Sequence, residues 1–310
     1  MHIDPSLSLV GALVGLLVGL TGMGGGALLT PLLVLFFHVP PLAAISSDLV
    51  TSLVMKPVGA AVHLRRRTVQ TGLLRWLALG AVPTAFAGAL LIGRIGHAPG
   101  VQGRLKLAIG LVLLVSLAST IVRQVIDRRG GERGAVGPLV VRPVRTVAIG
   151  ALGGFAVGMT SVGAGSLVIA LLLVAYPRLR PSQLVGTDIV QAIPLVGAAA
   201  IGHLLFGEVQ LAVTGSLLVG ALPAVYVGAR LSSQAPAVLI RSIVSGVLLA
   251  SALALLQVAS VVLVFVALAG AAVTATLSLG KRAPQPSTVG PAEVSENRSK
   301  QRWSRTMAAR

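Results

Sequence analysis

Two stretches of this chain, set about 140 positions apart, carry the same pattern, so any fold that suits one must suit the other. Val18-Gly19-Leu20-Thr21-Gly22-Met23-Gly24-Gly25-Gly26 returns as Val157-Gly158-Met159-Thr160-Ser161-Val162-Gly163-Ala164-Gly165. With one residue gained, Pro41, Ser47, Asp48, His63, Gln70, Gly80, Pro83 and Gly88 then return as Pro181, Thr187, Asp188, His203, Gln210, Gly220, Pro223 and Gly228. A doubled apolar unit broken by glycine is how many secondary transporters are built.

The unit cannot belong to a soluble core. Hydrophobic residues make up 55% of the chain, charged ones 11%, and mean hydropathy is +0.93, which leaves too little polar surface to face water. The segments are apolar on all sides instead of alternating, so the spans are helices and not barrel strands. They are expected near 7–21, 24–38, 41–63, 72–93, 103–123, 145–158, 160–176, 181–205, 209–230, 237–256 and 259–279. The fold class that follows is an all-α integral membrane protein: two inverted five-helix repeats with broken or re-entrant glycine-rich helices, plus a C-terminal helix. The first pair of helices in each repeat is short for ordinary spans, which points to half-helices dipping into the bilayer.

Residues 1–123 form the first repeat and 145–256 the second, with a basic cytoplasmic linker at 124–144 between them. An extra transmembrane helix is expected at 257–280 and a polar basic tail at 281–310. Met1 to Ser6 lacks a basic n-region and no cleavage-like site follows Leu20, so the N-terminus reads as retained.

An odd number of crossings per repeat inverts the second copy, so equivalent loops should differ in charge. Arg65, Arg66 and Arg67 follow His63, whereas only Glu208 follows His203; Val39-Pro40-Pro41 has no cation, whereas its counterpart holds Arg178 and Arg180. Placing Arg65–Arg67 in the cytoplasm puts the N-terminus outside and the C-terminus inside the cytoplasmic (inner) membrane of a bacterium, with only Arg94, Arg104 and Lys106 on the far side. Topology thus accounts for the formal charge of +17, and with 3% aromatic residues nucleic acid is not an expected partner. Membrane lipid is one, since the tail's cations suit an anionic surface.

There is no cysteine, His63 and His203 lack an HExxH spacing, no serine sits in a GxSxG elbow and no GK[ST] follows the glycines. No metal, no cofactor and no enzymatic activity are expected. What remains is polar chemistry inside apolar spans, where ionisable groups cost enough that function is the default reading. Asp48 and Asp188 each follow a hydroxyl about two turns into the third helix of a repeat, and His63 and His203 lie fifteen residues on, close to the far interface. Each aspartate reads either as a proton or cation site or as an acceptor that ties down donors at a broken helix. Each histidine is a coupling or gating candidate or a wetted, hydrogen-bonded interfacial group.

Asp48, Ser52 and Lys56 are spaced four apart on one helix face, and Lys56 has Val196 as its counterpart, so the halves differ chemically there. Lys56 could hold an anion, or could neutralise Asp48 or snorkel. The inner glycines Gly22, Gly24, Gly25, Gly163 and Gly165 can bare N–H groups at half-helix starts, where the dipole favours an anion, and Thr21, Thr160 and Ser161 add hydroxyls. Ser47, Thr187 and Gln191 complete the expected lining. The outer Gly11, Gly15, Gly19 and Gly150, Gly154, Gly158 have the spacing of helix packing.

These residues resemble the TauE/SafE family of sulfite-exporter-like permeases over residues 7 to 256. The resemblance rests on the glycine cluster and proline-bearing helix of Gly22–Pro31, on Val185-Gly186-Thr187-Asp188, Gly202-His203 and Gly207-Glu208-Val209, and on Gly220-Ala221-Leu222-Pro223 with Gly228. It implies two inverted repeats that move sulfite, thiosulfate or a small organosulfonate such as sulfoacetate across the bacterial inner membrane. The first half departs from the family pattern at Asp48 and Lys56. The expected function is a permease for a small sulfur-containing anion working by alternating access, with proton coupling open. An anion channel, a proton- or cation-coupled carrier built on Asp48 and Asp188, and a non-transporting assembly partner are the rivals.

Overall fold

The computed structural model describes residues 3–21, 25–65, 69–128, 141–177, 179, 181–231 and 237–257. The helices among these described residues are α1 Pro5–Thr21, α2 Gly26–Phe36, α3 Pro41–Arg65, α4 Thr71–Ile95, α5 Val101–Arg128, α6 Pro143–Thr160, α7 Leu167–Ala175, α8 Pro181–Phe206, α9 Leu211–Leu231 and α10 Ala237–Leu255. No strand occurs among the described residues. The expected span at 259–279, the tail at 281–310 and most of the linker lie outside the described residues. Four helices begin on proline, at Pro5, Pro41, Pro143 and Pro181, where its fixed φ suits a first turn and its missing N–H is not needed.

α2 has 11 residues and α7 has 9, so at 1.5 Å per residue they are about 17 and 14 Å long, roughly half of a ~30 Å hydrocarbon layer. α1 and α6, of 17 and 18 residues, are close to full spans. The shortness expected of each first pair therefore resides in its second member. Among the described residues, five helical stretches, in α4, α5, α6, α8 and α9, are long and apolar enough to cross a membrane. Leu9, Leu79, Leu111, Leu204, Leu211 and Val219 stand exposed on the outside, an apolar belt that suits lipid and not water. The chain is a multi-pass membrane protein.

Packing repeats with the sequence. α1 lies along α9 and α6 along α4, and the outer glycines are the reason the axes can approach. A Cβ on Gly11, Gly15 or Gly19 would press on the carbonyls of Leu217, Ala221 and Val225, and one on Gly150, Gly154 or Gly158 on those of Leu77, Ala81 and Ala85. α3 and α8 pair at the centre, where Leu42, Ile45, Leu49, Leu195, Val196 and Ala199 are buried. α5 pairs with α10.

Two hydrogen bonds reproduce the exchange at atomic level. The Gln210 N–H, entering α9, donates to Ser47 Oγ at 3.1 Å, and the Gln70 N–H, capping α4, donates to Thr187 Oγ1 at 2.9 Å. Each hydroxyl satisfies a backbone donor that a helix start leaves orphaned. Thr187→Val should lower unfolding stability by about 1 kcal/mol, read as a lower thermal midpoint in detergent, and leave anion affinity within twofold of wild type. A large affinity loss at unchanged stability would move this hydroxyl onto the ligand.

Candidate functional site

Asp48 is fully buried and gathers three hydroxyls from three elements. Thr30 of α2 and Ser161 both donate to Oδ2, the latter at 2.8 Å, and Ser52, one turn on along α3, donates to Oδ1 at 3.2 Å. Ser161 caps α6 with φ +60°, a left-handed conformation that costs a β-carbon something and turns the chain into the break before α7. Gly163 and Gly165 carry the turn onward at φ +108° and +103°, where glycine is at ease. The Ser161 carbonyl presses against Gly26 at the start of α2, so closely that a side chain there would collide with it. The two chain breaks, one from each half, therefore meet, and Asp48 ties them together. Gly25 is buried at the N-cap of α2, with space for a Cβ beside Ser52 Oγ, 3.4 Å away.

The hydroxyls of this cage have no hydroxyl counterparts in the sequence of the second half. Ser52 has Ala192 as its counterpart, Ser161 has Gly22, and Thr30 has Ile169 or its neighbour Ala170. Asp188, 1% exposed, lies on α8, and Lys56, 9% exposed, lies on α3, which packs against it. One turn beyond Asp188 is Gln191, fully buried, with neither its amide nitrogen nor its amide oxygen partnered. A buried amide with no partner is costly. Lys56 and Gln191 thus bring donor capacity into the α3–α8 core. Snorkelling, one of the two neutral roles open to Lys56, does not fit a side chain so enclosed.

The remaining expected residues fall in several places. Thr21 and Thr160 turn their hydroxyls onto carbonyls of their own helices, at Leu17 and Ala156, which terminates α1 and α6. Gly22 and Gly24 lie outside the described residues, as does the side chain of His63. Gly165 and Ser166 open onto a cleft with Ala27, Leu28, Ser116 and Leu248, and the Ser166 hydroxyl donates to Ser116 Oγ at 2.7 Å.

His203 corrects an expectation. It is not wetted at an interface but fully buried, with Nε2 2.8 Å from the Gly158 carbonyl and Nδ1 2.8 Å from Ser46 Oγ. The carbonyl can only accept, so Nε2 carries a proton and both ring nitrogens are committed to holding α8 against α6 and α3. Missing from the sequence reading were Thr30 and Ser46. Thr30 is the only polar side chain in α2, and a lone hydroxyl in an apolar half-helix was the available signal.

The model of the family described as "Sulfite exporter TauE/SafE" matches residues 7–255. A relative in Bacillus subtilis (strain 168), the "Probable membrane transporter protein YjnA", is 41% identical over 209 residues, 66% of this chain and 80% of that protein. No solved structure matches. The chain belongs to the TauE/SafE family and is a membrane transporter.

Proposed function

We propose that this TauE/SafE family member carries a small sulfur-containing anion across the bacterial inner membrane by alternating access, binding it beside Lys56. Sulfite, thiosulfate and a sulfonate such as sulfoacetate are the ligand class, in keeping with the family's description. The observation that carries the reading is a buried lysine on α3, the helix that packs against α8, where the buried Gln191 amide is unpartnered. An anion brought out of water needs a counter-charge and hydrogen-bond donors at close range, and these two residues supply both. The contact of Gly26 with Ser161 supports a reading in which the halves rock in inverted orientation about the site. The N-terminus faces outward and the basic tail inward. The anion passes through unchanged, so the protein is a carrier and not an enzyme.

Thermal stabilisation of the purified protein by sulfite, thiosulfate, sulfate, sulfoacetate, taurine, acetate and chloride tests this. Saturable stabilisation by a sulfur anion, weakened about tenfold or more in Gln191→Leu, is the expected result. Stabilisation by none of them in a folded protein would overturn the anion site, and flux into liposomes that rises without saturating would replace the carrier with a channel.

A further inference from the structure

We infer that Gln191 makes the proposed anion site selective for small sulfur oxyanions that carry a hydrogen-bond donor of their own, an N–H or O–H beside the charged oxygens. The inference rests on that site and narrows its ligand class. Gln191 is fully buried on α8, and neither Nε2 nor Oε1 has a hydrogen-bond partner. A glutamine amide offers two N–H donors and a carbonyl acceptor at one tip. Whichever way the amide is turned, both functions are unused by the fold.

The polar groups around it are taken up by structure. Ser46 holds His203, Ser47 and Thr187 accept from the backbone of Gln210 and Gln70, and Ser52 donates to Asp48. Thr51, which occupies the equivalent position in the first half, is also fully buried and turns its hydroxyl onto the Ser47 carbonyl at 2.8 Å. A serine or threonine satisfies itself in this way, one turn back along its own helix. A glutamine in a helix interior has no such resort, because its amide reaches past carbonyls that the helix already uses. Thr187, Gln191 and Leu195 succeed one another at four-residue steps on a buried face of α8, so the amide does not reach lipid or water either. Leucine or methionine would fill the position without a stranded polar tip. An amide unmet at both ends, where the other half has a satisfied threonine, is a group kept for a ligand.

The two ends of the amide then sort the anions. The oxygens of any sulfonate accept from Nε2. Oε1 only accepts, and beside a ligand made of acceptors alone it stays unpaired, which in a buried site weakens binding about tenfold or more. An N–H or O–H on the ligand closes that second bond. Sulfate, thiosulfate and simple alkanesulfonates lack it, aminosulfonates and hydroxysulfonates have it, and sulfite has it only when protonated. Because the amide is neutral, the selection acts between ligands of equal charge and is separate from the attraction to Lys56.

Sulfamate and methanesulfonate are the probes, both singly charged at neutral pH and nearly equal in size, with an NH2 in one where the other has CH3. In calorimetric titration of the purified full-length wild type, sulfamate should bind about tenfold or more tightly than methanesulfonate. In Gln191→Met, an apolar replacement of similar length, both should bind more weakly and within about twofold of each other. The thermal midpoint of the ligand-free Gln191→Met protein should stay level or rise, since an unmet buried amide is gone, whereas a glutamine held for structural reasons would leave it lower. Gln191→Asn keeps the amide but draws it back by one methylene; it should lose the preference too, and serves where methionine packs badly. Wild type that binds the two probes equally, or a preference that survives in both variants, overturns the selection while leaving the anion site standing. Wild type that binds neither probe overturns both.

Discussion

Lys56→Met should abolish saturable anion binding and lower unfolding stability by about 3 kcal/mol or more, the largest effect expected of any single charge in the chain. Two losses add. The anion loses its counter-charge, and the buried carboxylates of Asp188 and Asp48 lose the cation whose field they share. Methionine keeps the length and apolar stem of lysine, so packing is little disturbed and the effect reads as electrostatic. The double variant Lys56→Met/Asp188→Asn separates the two losses, because it removes the stranded charge without restoring a cation. Its thermal midpoint should return most of the way to wild type while anion binding stays absent. If the double variant remains as unstable as the single one, Lys56 mainly serves Asp48. If Lys56→Met binds sulfur anions normally, the site belongs elsewhere, and the cleft between Gly165, Ser166 and Ser116 is the next place to look.

The helices, their order and the role of the outer glycines were legible in the sequence because each rests on a local rule: apolar length, proline at a first turn, small residues four apart. The duplication also located Asp48 and Asp188 correctly, two turns into α3 and α8. Their inequality was only half visible. Lys56 opposite Val196 and Ser52 one turn from Asp48 could be read from the sequence, but the other two hydroxyls that cage Asp48 come from residues 18 and 113 positions away, and no periodicity announces contacts of that range. Ser47 and Thr187, expected to line the site, also have structural partners that the pattern does not announce. Their partners are backbone N–H groups of the opposite half, at Gln210 and Gln70, and sequence pattern does not record which backbone donors a fold leaves unpaired. His203 looked interfacial because it lies near a helix end, yet that end is packed between α6 and α3, so position along a helix was a poor guide to its wetting.

Gly220→Leu and Gly80→Leu should each prevent recovery of folded protein from the membrane, and should do so to a similar degree. A Cβ at Gly220 would run into the Ser8 carbonyl and the Ala12 amide of α1, and one at Gly80 into the Val147 carbonyl and the Ala151 amide of α6. These are backbone atoms of a neighbouring helix and cannot rotate aside, so the axes must separate. Separation forfeits the packing along whole helices, well beyond the 1–3 kcal/mol usual for an oversized residue in a core. Gly215→Ala and Gly103→Ala, where nothing approaches an added Cβ within 4 Å, are the controls and should be nearly silent. Monodispersity after detergent extraction, with thermal midpoint for whatever survives, is the measurement. Equal failure at Gly220 and Gly80 would mean that the α1–α9 and α4–α6 pairs bear the same load in both halves, leaving the unlike surroundings of Asp48 and Asp188 as the place where the two copies have parted. Tolerance at one position and failure at the other would instead extend that divergence to the scaffold, and the rocking of two equivalent halves would no longer follow from it.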